Sequence, residues 1–250
     1  CSKKDNDVLP VVKIKTPTAN GTLRNNQSTQ ITVETSMVFS YVSYYFNGKL
    51  IAQSNTPPYS AIWTPTDVVG GTHTLQAIAS YGGQKAEAIQ NVKFTVVLGE
   101  KFRGGTVFYT DGDGSQGLIA ADEDIFTGSG HIFKWGVGGY IGAGSTTDGR
   151  ANTNAMKTSV TGISYAGYPF ANGYYRDGYD DWYIPSMTEL IKLYQGRHYI
   201  SGIPATANDA WYWSSTEVTD GTSYALNMGN GMSDSSSKNT AYRVRPIRRY

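Results

Sequence analysis

Cysteine is nearly absent from this chain: one in 250 residues, at position 1. A disulfide within the chain is therefore excluded, as is any metal site built on several thiolates. Charge is also scarce, at 16% Asp, Glu, Lys and Arg with a net of +1. Residues 1–98 carry 8 basic and 5 acidic groups and the remainder 13 and 15, so neither part presents the basic field that draws in nucleic acid. No run of about 18 apolar residues is present, so no helix of this sequence is expected to span a membrane. Histidine is limited to His73, His131 and His198, far apart and outside any motif. Gly-x-Ser-x-Gly, His-Glu-x-x-His and the P-loop are missing. Gly136-Val137-Gly138-Gly139 is Gly-rich, but no strand–helix–strand unit surrounds it, which excludes a dinucleotide loop. These gaps argue against an enzyme, against a cofactor and against a nucleic-acid partner.

What is abundant is glycine, 29 residues, and tyrosine, 19. That composition belongs to turn-rich β architecture rather than helical bundles or disorder. From Val11 to Val97 the chain reads as short strands with period-two alternation. Val11–Ile14, Gln30–Val33 and the set Val42, Tyr44, Phe46 show it most plainly. Asn47-Gly48 supplies the residues of a type I′ hairpin turn. Pro57-Pro58-Tyr59-Ser60-Ala61-Ile62-Trp63 reads as an edge segment, since proline cannot donate to a ladder. His73-Thr74-Leu75-Gln76-Ala77-Ile78-Ala79 and Val92–Val96 complete about seven strands, the number of a two-sheet sandwich. His73 is expected to pack within this sandwich rather than to ligate a metal.

A join falls near Leu98-Gly99-Glu100-Lys101, where composition changes. Gly104–Tyr109 and Gly117–Ala121 are expected to pair as strands around Asp111-Gly112-Asp113-Gly114-Ser115. Alternating carboxylates on glycines are hard-cation ligands, but the third ligand position of a calcium loop is missing. A plain Asp-Gly turn is expected. Asp148 to Lys157 reads as a short helix. Gly178-Tyr179-Asp180-Asp181 then leads into a short aromatic strand, Trp182–Ile184, which stops at Pro185. Ser186 and Glu189 have capping-box spacing, and Leu190, Ile191, Leu193 and Tyr194 form the apolar face of the helix that follows. Adjacent Asp180 and Asp181 point to opposite faces, so they do not form a convergent acid–base pair. Asp180 is assigned to a turn and Asp181 to a structural hydrogen bond. Glu217 reads equally as a functional group or as a buried partner of a late arginine. Arg243, Arg245, Arg248 and Arg249 are expected to form internal ion pairs rather than a phosphate patch.

Residues 206–240 are dense in Ser, Thr, Asn, Asp and Gly, and read as a solvated hairpin and loop. Tyrosine among small polar residues is the composition of antibody-like binding surfaces, rigid rings with adaptable hydrogen bonding. The candidate ligand residues are Asn208, Asp209, Tyr212, Asp220, Ser223, Tyr224, Asn227, Asn230, Asp234 and Lys238. Trp213 is expected in the core, with Tyr212 facing the other way.

Three ordered stretches carry a family resemblance. Gly178 to Leu190, Tyr212-Trp213-Ser214-Ser215-Thr216-Glu217 and Val244-Arg245-Pro246-Ile247 resemble the Lcl C-terminal domain family and the related major paralogous domain family of bacterial surface proteins. The Asn47-Gly48 hairpin, the Pro-Pro-Tyr…Trp segment and the Gly-Thr-His-Thr-Leu strand resemble bacterial Ig-like domains. The resemblance implies two domains, an all-β Ig-like sandwich (residues 10–98) and an α+β C-type-lectin-like domain (99–250), after a tether at 1–9. It further implies non-catalytic binding of a glycan or protein receptor, or an assembly role in a surface appendage. The tripeptides of calcium-dependent sugar sites, Glu-Pro-Asn, Gln-Pro-Asp and Trp-Asn-Asp, are absent. Cys1, followed by Ser2-Lys3-Lys4-Asp5-Asn6-Asp7, resembles the start of a mature bacterial lipoprotein. Acylation of Cys1 and a surface-exposed place on the outer membrane are the corresponding expectations.

Overall fold

The computed structural model describes residues 9–127, 130–160, 162–204, 206, 208 and 210–250. Cys1, the expected lipid attachment, and Asp209, a candidate ligand residue, lie outside the described residues. Two compact units make up the chain. One runs to Val96 and also includes Gly112–Ser115; the other comprises Val97–Asp111 and Gln116–Tyr250. Among the described residues no helix is long and apolar enough to cross a membrane.

The first unit is a two-sheet sandwich. Strands β1 (Val12–Thr16), β3 (Thr29–Thr35) and β6 (Ala61–Trp63) form one sheet in the order β1-β3-β6. The second sheet runs β2-β8-β7-β4-β5, with β2 Thr22–Leu23, β4 Tyr41–Phe46, β5 Lys49–Ser54, β7 Gly71–Tyr81 and β8 Gln84–Phe94. Alternation works as the sequence implies: Val42, Tyr44 and Phe46 enter the core with Ile31, Leu75, Val92 and Phe94. Asn47 and Gly48 both have positive φ, 46° and 79°, the conformation a type I′ turn requires. The long β7–β8 hairpin was not legible over its second strand. Gln84-Lys85-Ala86-Glu87-Ala88 lacks β-branched residues, and it becomes a strand because β7 templates it in unbroken register from Gly71↔Phe94 to Tyr81↔Gln84. His73 packs between the rings of Phe46 and Phe94, with Nε2 against the Val69 carbonyl at 3.0 Å and Nδ1 against Asn47 Nδ2 at 2.9 Å. It is a structural histidine.

Tyr44 is fully buried and donates its hydroxyl to the Tyr59 carbonyl. Burial pushes its phenol up to about 12. The folded protein thus holds this proton more tightly than the unfolded chain, where tyrosine titrates near about 10. Its contribution is intact below about pH 10 and is lost as the pH climbs towards the folded value. Urea midpoints followed from pH 9 to 12 (roughly the span over which tyrosine ionises) are expected to fall more steeply for the wild type than for Tyr44→Phe. Equal slopes would contradict the assignment.

The second unit surrounds a core of Phe108, Leu118, Tyr183, Leu190, Leu193, Tyr212, Leu226 and Ile247. One antiparallel sheet has the order β17-β11-β10-β9, from Ile247–Arg249, Gly117–Ala120, Gly105–Thr110 and Lys101–Phe102. A second has the order β13-β14-β15, from Trp211–Glu217, Thr222–Asn227 and Ser233–Ser237. β12 (Phe133–Lys134) pairs with β16 (Ala241–Tyr242). Helices α1 (Gly149–Ser159), α2 (Tyr168–Ala171) and α3 (Met187–Gln195) complete the unit. Asp148 caps α1 by accepting from Ala151 N, and Ser186 with Glu189 form the full capping box of α3.

Three expectations need correction. Trp182–Ile184 is not a strand: Tyr183 makes one reciprocal backbone pair with Ile247, both bonds 2.9 Å, before Pro185 diverts the chain to the helix cap. Ile191 is 39% exposed, so the buried face of α3 is Met187, Leu190 and Leu193. The stretch 206–240 is not a solvated loop. It supplies the whole three-stranded sheet and buries Ser223, Ala225, Leu226, Asn227, Met228 and Lys238.

Candidate functional site

The polar residues of the second unit divide into an interior lattice and an exposed rim. The lattice is built on carboxylates. Glu189 Oε2 accepts from Ser186 N at 2.9 Å and from Gly149 N at 3.1 Å, joining the starts of α3 and α1. Its Oε1 accepts from the Tyr183 hydroxyl at 2.8 Å and from Arg249 at 2.9 Å. Burial, and then the charge of Glu189, push the Tyr183 phenol upward. Asp181 takes a forked pair from Arg248, at 2.6 and 3.1 Å, as its assigned structural role requires. Asp124 accepts from Arg245 Nε at 2.7 Å, Arg243 at 3.3 Å and the Tyr212 hydroxyl at 2.8 Å. The late arginines therefore form internal ion pairs.

Glu217 is buried too, but its partner is Lys238 rather than an arginine, with Nζ–Oε1 at 2.5 Å. The carboxylate also accepts from the backbone N–H groups of Ile141, Gly142 and Ala143 at 3.0–3.2 Å. Lys238 Nζ donates to the Gly139 carbonyl at 2.8 Å and lies 4.8 Å from the Trp135 ring centroid. The Ser-Ser-Thr-Glu run is thus a clamp: Ser215 donates to the Pro185 carbonyl and Thr216 to the Ser145 carbonyl.

This lattice removes four of the ten candidate ligand residues. Tyr212 is fully buried with its hydroxyl committed to Asp124, and Lys238 is held by Glu217. Asn227, 2% exposed, uses its Oδ1 to hold the β14–β15 turn through Gly229 N at 2.8 Å. Ser223 is fully buried in β14. All four are at most 2% exposed, out of reach of a ligand on the surface. Asn208, Asp220, Asn230 and Asp234 are exposed, and Tyr224 is half-buried against the α3 side of the core. Only Asp234 stands beside a surface with binding character.

That surface is an aromatic shelf. Register places Trp213, Ala225 and Asp234 in one row across β13, β14 and β15, with Trp211 two residues along on the same face. Trp213 is fully buried and forms the floor, its Nε1 donating to the Phe133 carbonyl at 2.8 Å. Trp211 and Tyr242 are half-buried and stack, centroids 5.6 Å apart at 20°; Tyr242 also meets Trp213 at 4.7 Å. Ser236 Oγ lies 3.2 Å from Asp234 Oδ2 and 3.3 Å from the Tyr242 hydroxyl. The shelf therefore presents two half-exposed rings beside the Asp234 carboxylate, while Ser236, 6% exposed, links Asp234 to the Tyr242 hydroxyl. Sequence reasoning did not place Tyr242 and Ser236 there. The alternation that puts Trp211 with Trp213 was visible, but their meeting with β16 was not.

A concavity of about 520 Å³ is lined by Asp122, Glu123, Asp124, Phe126, His131 and Arg245, among others, but its carboxylates are matched by Lys101, Arg176 and Arg245. Asp111 and Asp113 accept from Gln116 N and Ser115 N, at 3.1 and 2.8 Å, as turn residues do. Among the described residues no group of three or more His, Cys, Asp or Glu could hold a metal ion. Asp180 is exposed, and Asp181 is engaged by Arg248.

Two families match parts of the chain. A bacterial Ig domain matches residues 10–77, and the Lcl C-terminal domain matches residues 143–248. All three motifs singled out in the second unit fall inside the latter match, whereas β9–β12 precede it. No curated protein matches the chain. Among solved structures, it is similar to the fibronectin(III)-like modules of CbhA from Clostridium thermocellum: 25% identity, TM-score 0.31, 35% of this chain and 99% of that one. It is also similar to the endo-β-1,4-mannanase of Thermotoga petrophila, at 9% identity and TM-score 0.31, over 38% of this chain and 22% of the enzyme. For a Bacteroides uniformis β-glucuronidase the values are 20% and 0.29, over 36% of this chain and 11% of the enzyme. The two family matches indicate a surface-associated bacterial protein with an Ig-like N-terminal domain.

Proposed function

We propose that the second unit is a C-type-lectin-like binding module that holds a glycan on the Trp211–Tyr242 shelf without chemical turnover. The observation that carries this reading is the stacked, half-exposed ring pair with the exposed Asp234 carboxylate along its edge. A sugar's C–H face packs on aromatic rings, and its hydroxyls bond to carboxylate and hydroxyl oxygens. The internal pairing of the carboxylates argues against acid–base chemistry, which needs a group poised to exchange protons. Outer-membrane attachment through an acylated Cys1 belongs to the same proposal. Metabolic labelling with a palmitate analogue tests it, and an unlabelled protein would remove that part.

The glycan reading is tested on an array probed with the full chain, first with calcium and then with a chelator. A selective signal that survives chelation is expected. Trp211→Ala should weaken it about tenfold, roughly the contribution of one well-placed aromatic contact. A blank array from folded protein, or binding indifferent to Trp211, would overturn the reading and direct the search to protein receptors or partners in a surface appendage.

A further inference from the structure

Charge selects among the sugars that could stack on the Trp211–Tyr242 shelf. Asp234 is exposed, and its carboxylate has no cationic partner among the described residues; the side-chain donor it meets is Ser236 Oγ, at 3.2 Å. The cations nearest to the shelf in sequence and register are turned elsewhere. Lys134 stands opposite Ala241, one position along from the Phe133↔Tyr242 pair, so strand alternation sends it to the other face. Arg243 directly follows Tyr242 and reaches Asp124 at 3.3 Å. Lys238 is interior, held by Glu217 and the Gly139 carbonyl. The shelf is therefore locally negative in a chain whose net charge is only +1.

The rings act in the same direction. The face of an aromatic ring is the negative part of its quadrupole and attracts an ammonium, tryptophan most strongly. Ser236 Oγ lies between Asp234 Oδ2 and the Tyr242 hydroxyl, at 3.2 and 3.3 Å, so carboxylate and ring stand one side chain apart. Half-exposed rings beside a carboxylate with no counter-charge favour a cation; a uronate or sulfate placed there would be repelled. We propose that the glycan held by the shelf is an amino sugar with a free, protonated amine, its ammonium set against Asp234 and the rings. This rests on the glycan reading above and names the sugar class. A lysine side chain would bring the same charge, but not the C–H face that packs on Trp211 and Tyr242.

The test uses ¹H–¹⁵N spectra of the full chain at about pH 6, where an aliphatic amine is protonated. Three β-1,4-linked tetramers are titrated: of glucosamine, of N-acetylglucosamine and of mannuronate. The glucosamine tetramer should shift the Trp211 indole N–H and the Asp234 and Ser236 amides saturably. Its Kd should be about tenfold below that of the acetylated tetramer, the joint effect of an exposed ion pair and a cation–π contact. Raising sodium chloride from about 0.05 to about 0.5 M should erode that preference, and the mannuronate tetramer should shift nothing. Asp234→Asn should bring the two Kd values together and leave the thermal midpoint in place, because the side chain is exposed. Equal Kd values in the wild type, tighter binding of the acetylated or mannuronate tetramer, or a preference that persists in Asp234→Asn would overturn the amino-sugar proposal while the glycan reading stands. Nα-acetyl-lysine amide matching the glucosamine tetramer would also overturn it, in favour of a protein partner. Silence from all three tetramers overturns it as well, and the array then decides whether the glycan reading falls with it.

Discussion

Lys238→Ala is expected to lower the unfolding midpoint of the second unit by about 6–20 °C, while the transition of the Ig-like unit stays in place. The side chains of Lys238 and Glu217 are 2% and 0% exposed. Removing the ammonium leaves the Glu217 carboxylate buried and supported, among the described residues, by the N–H groups of Ile141, Gly142 and Ala143. Breaking one partner of a buried pair costs about 3–5 kcal/mol, a large share of the roughly 5–15 kcal/mol that holds a domain folded. The Lys238 ammonium also lies over the Trp135 ring, so alanine loses that contact and the volume of a buried side chain as well as the charge. Lys238→Met restores the packing alone and should recover only a small part. The double variant Glu217→Gln/Lys238→Met removes both charges and keeps an acceptor for the three N–H groups. It should recover most of the loss, because isosteric replacement of a buried pair is often close to neutral. Calorimetry of the full chain reads all three. A double variant no more stable than Lys238→Met would contradict a charge-pair account.

The second large effect is expected at Asp124. Its carboxylate serves two guanidiniums and the Tyr212 hydroxyl, and the Arg245 side chain is wholly buried. Asp124→Ala strips the counter-charge from Arg245, whose remaining acceptors are the carbonyls of Ala121, Ser201 and Gly202. Those carbonyls keep the guanidinium hydrogen-bonded but do not neutralise it, so a loss of about 3–5 kcal/mol is again expected. Asp124→Asn keeps an acceptor for Tyr212 and should cost less, with the charge loss as the remainder. Tyr212→Phe should cost about 1 kcal/mol, one hydrogen bond. Denaturant midpoints of the three variants in that order of severity support the lattice; a mild Asp124→Ala would show that it is dispensable. Any fall in ligand binding by a Tyr212 variant follows from lost stability, since the ring and hydroxyl are interior.

Local patterns were readable wherever the deciding residues are neighbours in sequence. The capping box at Ser186 and Glu189, the Asn47-Gly48 turn and the Val42/Tyr44/Phe46 alternation are all of that kind, and all appear as expected. The interior lattice was readable only as residue types. Lys238 meets Gly139 and Arg245 meets Asp124 across 99 and 121 positions, which no local spacing encodes. The same limit explains the misreading of residues 206–240. Ser233–Ser237 has no apolar residue to mark a strand, yet it pairs along β14 from Thr222↔Ser237 to Leu226↔Ser233. Polar composition suggested a solvated surface, but long-range carboxylate and lysine partners turned part of it inward. What remains outside is the edge strand, and beside it the aromatic pair that became the candidate site.

Residues that hold the second unit together are distinct from those that meet a ligand, and one paired measurement tests that separation directly. Asp234→Ala and Lys238→Met are made in the full chain, and each preparation is assayed for its calorimetric midpoint and for its array signal. Asp234 is exposed, so its variant should keep its midpoint, within the roughly ±0.5 kcal/mol of ordinary surface changes, and lose binding. Lys238→Met should show a clearly lower midpoint and, below it, bind as the wild type does. Undiminished binding by Asp234→Ala, together with lost binding by Lys238→Met at an unchanged midpoint, would contradict the account and move the site to the Lys238–Glu217 pair.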